Sequence, residues 1–160
     1  MQDPDSISPL SEADYIPSGM TAMYDAIGST IDRLLKEPDI EDKNTTVLIV
    51  VVSDGQENNS KRFSQADIAE RVSRLQGTKR WTFTYSGANQ DLTKVSQTLN
   101  IPIGNMQVFD ANPVGVQKSY LARSVSTQAY YASVAKGDTS VMNFYSPNKD
   151  EDSDKDSNTP

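Results

Sequence analysis

Asp54 stands directly after Thr45–Ser53, the β-branched run TTVLIVVVS, and before Gly55. In an open parallel sheet, ligands bind beyond the carboxyl ends of the strands. A carboxylate at that place can be a metal ligand, a phosphoacceptor or a cap in an Asp-Gly turn. Its neighbours Ser53, Gly55, Glu57 and Asn58 are polar. A second polar cluster, Ser18-Gly19-Met20-Thr21, precedes a helical pattern. Thr21 can serve as a helix N-cap, or it can present its hydroxyl to the same crevice as Asp54. A hard cation such as Mg²⁺ takes oxygen ligands, and a hydroxyl with a water-bridged carboxylate suits it. One carboxylate and one hydroxyl are too few for useful affinity alone.

The composition excludes other chemistries. The 160 residues contain no cysteine and no histidine. That rules out disulfides, thiolate zinc sites, iron–sulfur clusters, the Ser-His-Asp triad and His-based zinc sites. With 22 acidic against 15 basic residues, the net charge is −7. This balance argues against a grip on nucleic-acid phosphates or anionic membranes. The strongly apolar run Val47–Val52 is far too short to span a bilayer. No signal-peptide pattern is visible near Met1, and the absence of cysteine fits a reducing, cytoplasmic compartment.

Four helices and three strands must position the polar clusters. Met23, Ile27, Ile31 and Leu34 recur at helical spacing, and Pro38 follows as a stop. Val47–Val52 does not alternate, so it reads as a strand buried on both faces. Ser64-Gln65-Ala66-Asp67 is a capping-box pattern opening a helix with Ile68, Val72 and Leu75 inward. Arg80–Ser86 is a second strand, whose Trp81 and Tyr85 read as packing. Asn89 is placed to cap a third helix with Leu92, Val95 and Leu99 inward. Met106–Phe109 is a short third strand. Asn112-Pro113 then opens a last helix to about Lys136, with Leu121, Val125, Ala129 and Ala132 on its apolar face. This alternation predicts an α/β fold, a doubly wound, Rossmann-like parallel sheet. Residues 1–18 read as an irregular, proline-broken lead and residues 138–160 as a largely disordered acidic tail. Residues 147–160 hold five acids against two lysines. The alternate acids Asp150, Asp152, Asp154 and Asp156 echo a calcium loop, but Lys155 occupies the turn-glycine position, so they read as a solvated tail.

Three segments together resemble the von Willebrand factor A (VWA) domain, in its bacterial and phage branch. They are Gly19–Gly28 (GMTAMYDAIG), Val47–Ser60 (VLIVVVSDGQENNS) and Trp81–Leu92 (WTFTYSGANQDL), with NIPIGNMQVFDANPVGVQKSYLARSVS following in compatible order. The resemblance runs from about Pro9 to Ala135. It implies a metal-ion-dependent adhesion site holding Mg²⁺ or Mn²⁺, completed by an acidic group of a partner. Thr21 matches the threonine of the family's second loop and Asp54 the aspartate of the third. Ser53 stands where the family often has threonine and is a candidate metal-site residue behind Thr21 and Asp54. Asp25 matches an aspartate of the family's first motif and is expected to be structural.

The family's first loop, Asp-x-Ser-x-Ser, has no counterpart. Ser6 and Ser8 would need an aspartate where Pro4 stands, and Asp138 and Ser140 would need a serine where Met142 stands. The chain therefore resembles only the C-terminal half to two-thirds of the domain, about residues 19–137. Without the first strand, Val47–Val52 becomes an apolar sheet edge that something must cover. Another polypeptide supplying the missing half, self-pairing of two copies, or residues 1–18 folding back are the candidates; the last lacks a strand pattern. The expected function is a non-enzymatic protein–protein interaction module with an incomplete cation site, filled by Mg²⁺ or Mn²⁺ when a partner supplies the missing ligands. The alternatives are a receiver-like signalling domain with Asp54 as phosphoacceptor and a truncated gene product without independent function.

Overall fold

The computed structural model describes Ser8, Ser11, residues 19–139 and residues 141–145. Among them, in chain order, are α1 (Met23–Leu34), β1 (Val47–Ser53), α2 (Gln65–Gly77), β2 (Trp81–Ala88), α3 (Leu92–Leu99), a 3₁₀ turn (Ile103–Asn105), β3 (Met106–Phe109) and α4 (Pro113–Ala135). The strands form one parallel sheet in the order β1-β2-β3. The fold is thus α/β, an incomplete Rossmann-like sheet of three strands with four helices. Among the described residues, no helix is long and apolar enough to cross a membrane.

β2 is the central strand, and all eight of its residues are buried. Successive side chains of a strand point to opposite faces. Trp81, Phe83 and Tyr85 therefore face one side, where they join Ile27 and Ile31 of α1, Ile68, Val72 and Leu75 of α2, and Leu99 of α3. That face carries the hydrophobic core. Thr82, Thr84 and Ser86 face the other side, where the Ser86 hydroxyl lies 3.4 Å from the Ser119 hydroxyl of α4. Gln107 Nε2 donates to Ser86 Oγ at 2.9 Å and to the Ser119 carbonyl at 3.3 Å.

This second layer corrects the expectation for the last helix. Leu121 and Val125 are 61% and 63% exposed, whereas Gly115, Ser119, Ser126 and Tyr130 are buried. The cause is close approach. A Cβ at Gly115 would lie 2.2 Å from the Asp110 carbonyl oxygen, so the start of α4 sits directly on the end of β3. At this end of the helix only small residues, Gly115 and Ser119, fit beneath it, while Tyr130 further along packs on Phe144. The apolar period of α4 consequently faces outward. Asn112 caps the helix as expected, accepting from Gly115 N–H.

Two other expectations change. Asn89 does not cap α3; its backbone is left-handed (φ 50°) and its N–H donates to Phe109 O. Asp91, in extended conformation, is the cap and accepts from Thr93 and Lys94 N–H. β1 is not buried on both faces. With one neighbouring strand among the described residues it lies at the edge of the sheet, and Leu48 and Val50 on its outer face are half-buried while Val52 is 52% exposed. The capping box at Ser64 and Asp67 is present as read.

The packed body continues into the segment read as tail. Phe144 is buried, and Asn105 holds it there. Asn105 Nδ2 donates to the Phe83 and Val141 carbonyls, and its Oδ1 accepts from Phe144 N–H. Residues 146–160, including the run of alternate acids, lie outside the described residues, as do most of residues 1–18.

Candidate functional site

The crevice at the carboxyl end of β1 is built by two loops stitched together through backbone groups. Thr21 N–H donates to Asn58 Oδ1 at 2.9 Å, while Thr21 O accepts from Asn58 and Asn59 N–H. The loop before α1 is thereby fixed against the loop after β1. Thr21 is not the N-cap of α1. Ala22 holds that position, without a side-chain cap. The Thr21 hydroxyl instead abuts the turn after β1: a Cβ at Gly55 would lie 2.6 Å from Thr21 Oγ1. Gly55 is what lets the two loops close on each other.

Two carboxylates lock this arrangement. Glu57 accepts from the N–H groups of Tyr24, Asn59 and Ser60 and from Ser60 Oγ. Asp25 accepts from the N–H groups of Lys61, Arg62 and Phe63. Each ties the first turn of α1 to the loop after β1 and satisfies donors that have no helix or sheet partner. Burial works to raise the Glu57 pKa, but its backbone and Ser60 hydrogen bonds outweigh that and hold it below the usual value. The Lys61 N–H is the main cause of the lowered Asp25 pKa, helped by Phe63 and Arg62.

The sign of the pH dependence follows. Groups whose folded pKa is depressed stabilise the fold above their unfolded pKa and lose that contribution as pH falls through the folded value. Stability measured by denaturant midpoint is expected to be flat from neutrality to about pH 5 and to fall below about pH 4. Glu57→Gln is expected to make that fall shallower and to lower the midpoint at pH 7. A midpoint in Glu57→Gln equal to that of the parent at both pH 7 and pH 3 would remove the clamp.

Against this frame stand the three residues expected to bind metal. Asp54 is exposed, and no described residue hydrogen-bonds its carboxylate. Thr21 is half-buried, and its hydroxyl has no hydrogen-bond partner among the described residues. Ser53 is buried and committed: its Oγ donates to Gly55 O at 2.7 Å. It braces the turn that carries Asp54. Gln90 Nε2 donates to the same carbonyl at 2.8 Å, and Gln90 Oε1 accepts from the Tyr85 hydroxyl at 2.6 Å. The crevice is therefore tied to the core through Tyr85, whose hydroxyl pKa burial pushes up.

Thr21, Ser53 and Asp54 line one groove of about 580 Å³. Its walls are α1, through Met23, Ala26, Ile27, Thr30 and Leu34, and the whole free edge of β1 from Leu48 onward. A groove lined mainly by apolar side chains, with the backbone of the sheet edge between them, thus opens on the Thr21 hydroxyl and the Asp54 carboxylate. Among the described residues, no three acidic side chains gather as a metal cluster. Thr21 and Asp54 could supply a hydroxyl and a carboxylate to a hard cation, which wants six ligands or so and needs the remainder from water or another chain.

Sequence reasoning placed Glu57 and Asn58 beside Asp54 but did not assign them the loop clamp. Gln90 was not singled out. No protein-family model matches the chain, and neither a curated protein nor a solved structure matches it significantly.

Proposed function

We propose that this chain is a non-enzymatic protein-interaction module of the VWA type, lacking the first strand of that domain and part of its cation site. The observation that carries this reading is the groove along β1, lined mainly by apolar side chains, which opens onto a Thr21 hydroxyl and an Asp54 carboxylate that have no hydrogen-bond partner among the described residues. A partner segment lying in the groove would bring its own residues to the crevice. An Asp-x-Ser-x-Ser sequence there would add the carboxylate and hydroxyls that Mg²⁺ or Mn²⁺ requires. The order of motifs around Thr21, Asp54 and Asn89 supports the family assignment. The absence of cysteine and histidine fits an oxygen-only site and a cytoplasmic setting. The acidic charge disfavours nucleic acid and anionic membrane as partners. A phosphoacceptor role for Asp54 is less well supported, since among the described residues no acidic pair lies beside it.

The test is calorimetric. Titrating Mg²⁺ into the isolated chain is expected to show no micromolar binding. In the presence of a polypeptide carrying an apolar strand that ends in Asp-x-Ser-x-Ser, a site is expected to appear and to vanish in Asp54→Ala. Micromolar affinity in the chain alone, or an Asp54→Ala variant that binds as well as the parent, would overturn the reading.

A further inference from the structure

We infer that a smaller pocket behind the loop clamp binds a neutral monosaccharide unit. The pocket measures about 240 Å³. It lies where the start of α1, the loop after β1, the start of α2, the end of β2 and α3 meet. Met23 is the one residue that it shares with the Asp54 groove, so the two sites are separate.

The inner wall is fixed before any ligand arrives. Glu57 Oε2 holds the Tyr24 N–H at 3.0 Å. Gln90 is bonded at one end to the Tyr85 hydroxyl and at the other to the Gly55 carbonyl. Gly87 makes that link possible. A Cβ there would lie 2.7 Å from Tyr85 Cε1 and 3.4 Å from Gln90 Cβ, so glycine lets the Tyr85 side chain cross the strand to the amide. Asp91 Oδ1 is engaged as the cap of α3. A wall set in this way leaves little to order when a ligand binds.

Charge disfavours two ligand classes. The lining carries two carboxylates, Glu57 and Asp91, against one ammonium, Lys94, which works against phosphates and carboxylates. A hard cation fares no better. The Glu57 oxygens already accept four hydrogen bonds. That leaves Asp91 Oδ2, one oxygen where such an ion takes about six.

The groups that remain are neutral and work in both directions. The Gln56 and Gln65 amides and the Tyr24 and Thr98 hydroxyls line the pocket and have no hydrogen-bond partner among the described residues. Amides and hydroxyls each donate and accept. A sugar ring offers the same at every hydroxyl, and one amide can bridge two neighbouring hydroxyls. Met23, Val95 and the Tyr24 ring give apolar surface for the C–H groups of such a ring. A free amino acid would set its charges against Asp91 and Lys94 and leave the amides and hydroxyls unused.

Saturation-transfer NMR on the full chain tests this, with glucose, galactose, mannose and ribose as probes and with phosphate and glycine as charged competitors. At least one sugar is expected to show transfer, with a dissociation constant of roughly 1–10 mM. Gln56→Ala combined with Gln65→Ala, both at exposed positions, is expected to weaken that binding at least about fivefold and to leave the circular dichroism unchanged. No transfer from any of the four sugars would overturn the inference. So would equal transfer in the double variant, or phosphate or glycine displacing the sugar at lower concentration than the sugar itself requires. Asp54→Ala is expected to leave sugar binding unchanged. Sugar binding without an assembled Mg²⁺ site would fault the cation reading alone, and a Mg²⁺ site without sugar binding would fault this one alone.

Discussion

Replacing Phe83 with alanine is expected to cost about 3–5 kcal/mol, enough to unfold much of the population of a domain this size. Phe83 is fully buried in the middle of the central strand. Its ring stacks near Trp81, with centroids 6.2 Å apart, and joins the cluster made by α1, α2 and α3. Every helix of the core face leans on that cluster, so no local collapse can refill the space. Loss of near-ultraviolet circular dichroism together with a lowered urea midpoint would register the effect. A loss of unfolding free energy below about 1 kcal/mol would mean that the core is centred elsewhere. The crevice would go with it, since Tyr85 one turn of the pleat away holds Gln90 and, through it, the Gly55 carbonyl.

Asn105→Ala is expected to cost about 3 kcal/mol through a different mechanism. The side chain is 1% exposed and makes three hydrogen bonds to backbone groups, on Phe83, Val141 and Phe144. Alanine leaves two carbonyls and one N–H without it, at about 1 kcal/mol each. The loss is also positional. Residues 141–145 are held by this amide and by the bond from Tyr145 N–H to Gly104 O. Limited proteolysis of Asn105→Ala is expected to cut near residues 140–145 at protease levels that leave the parent intact. An unchanged cleavage pattern would show that Phe144 packing alone secures the segment.

Much of the architecture was legible because each element carries its own signal. The Val47–Val52 run, the capping box at Ser64 and the Asn112-Pro113 start each mark a boundary by local chemistry, and the structure places elements there. What was not legible depends on neighbours. The apolar period of α4 suggested a core face at Leu121 and Val125, but the Gly115 contact with Asp110 selects the small face instead. The unbroken β-branched character of β1 suggested an interior strand, and only the count of its neighbours reveals an edge. At the crevice, the positions of Thr21 and Asp54 followed from strand-end logic and motif resemblance. The clamps made by Asp25 and Glu57 could not be read, because their partners are backbone N–H groups of residues 24 and 59–63, which leave no mark in side-chain pattern.

The polar contact of Ser119 on α4 with Ser86 and Gln107 of the sheet has a thermal consequence. Exposing apolar surface raises the heat capacity and exposing polar surface lowers it. Parting α1, α2 and α3 from Trp81, Phe83 and Tyr85 uncovers mostly carbon, so that step carries a large heat-capacity increase. Parting Ser119 of α4 from Ser86 and Gln107 uncovers polar groups on both sides, which offsets part of the rise that its apolar contacts bring. The attachment of α4 therefore varies less with temperature than the core does. On cooling, the core face loses hydrophobic drive while the hydroxyl layer keeps its hold, so the two sides of one thin sheet soften at different ends of the temperature scale.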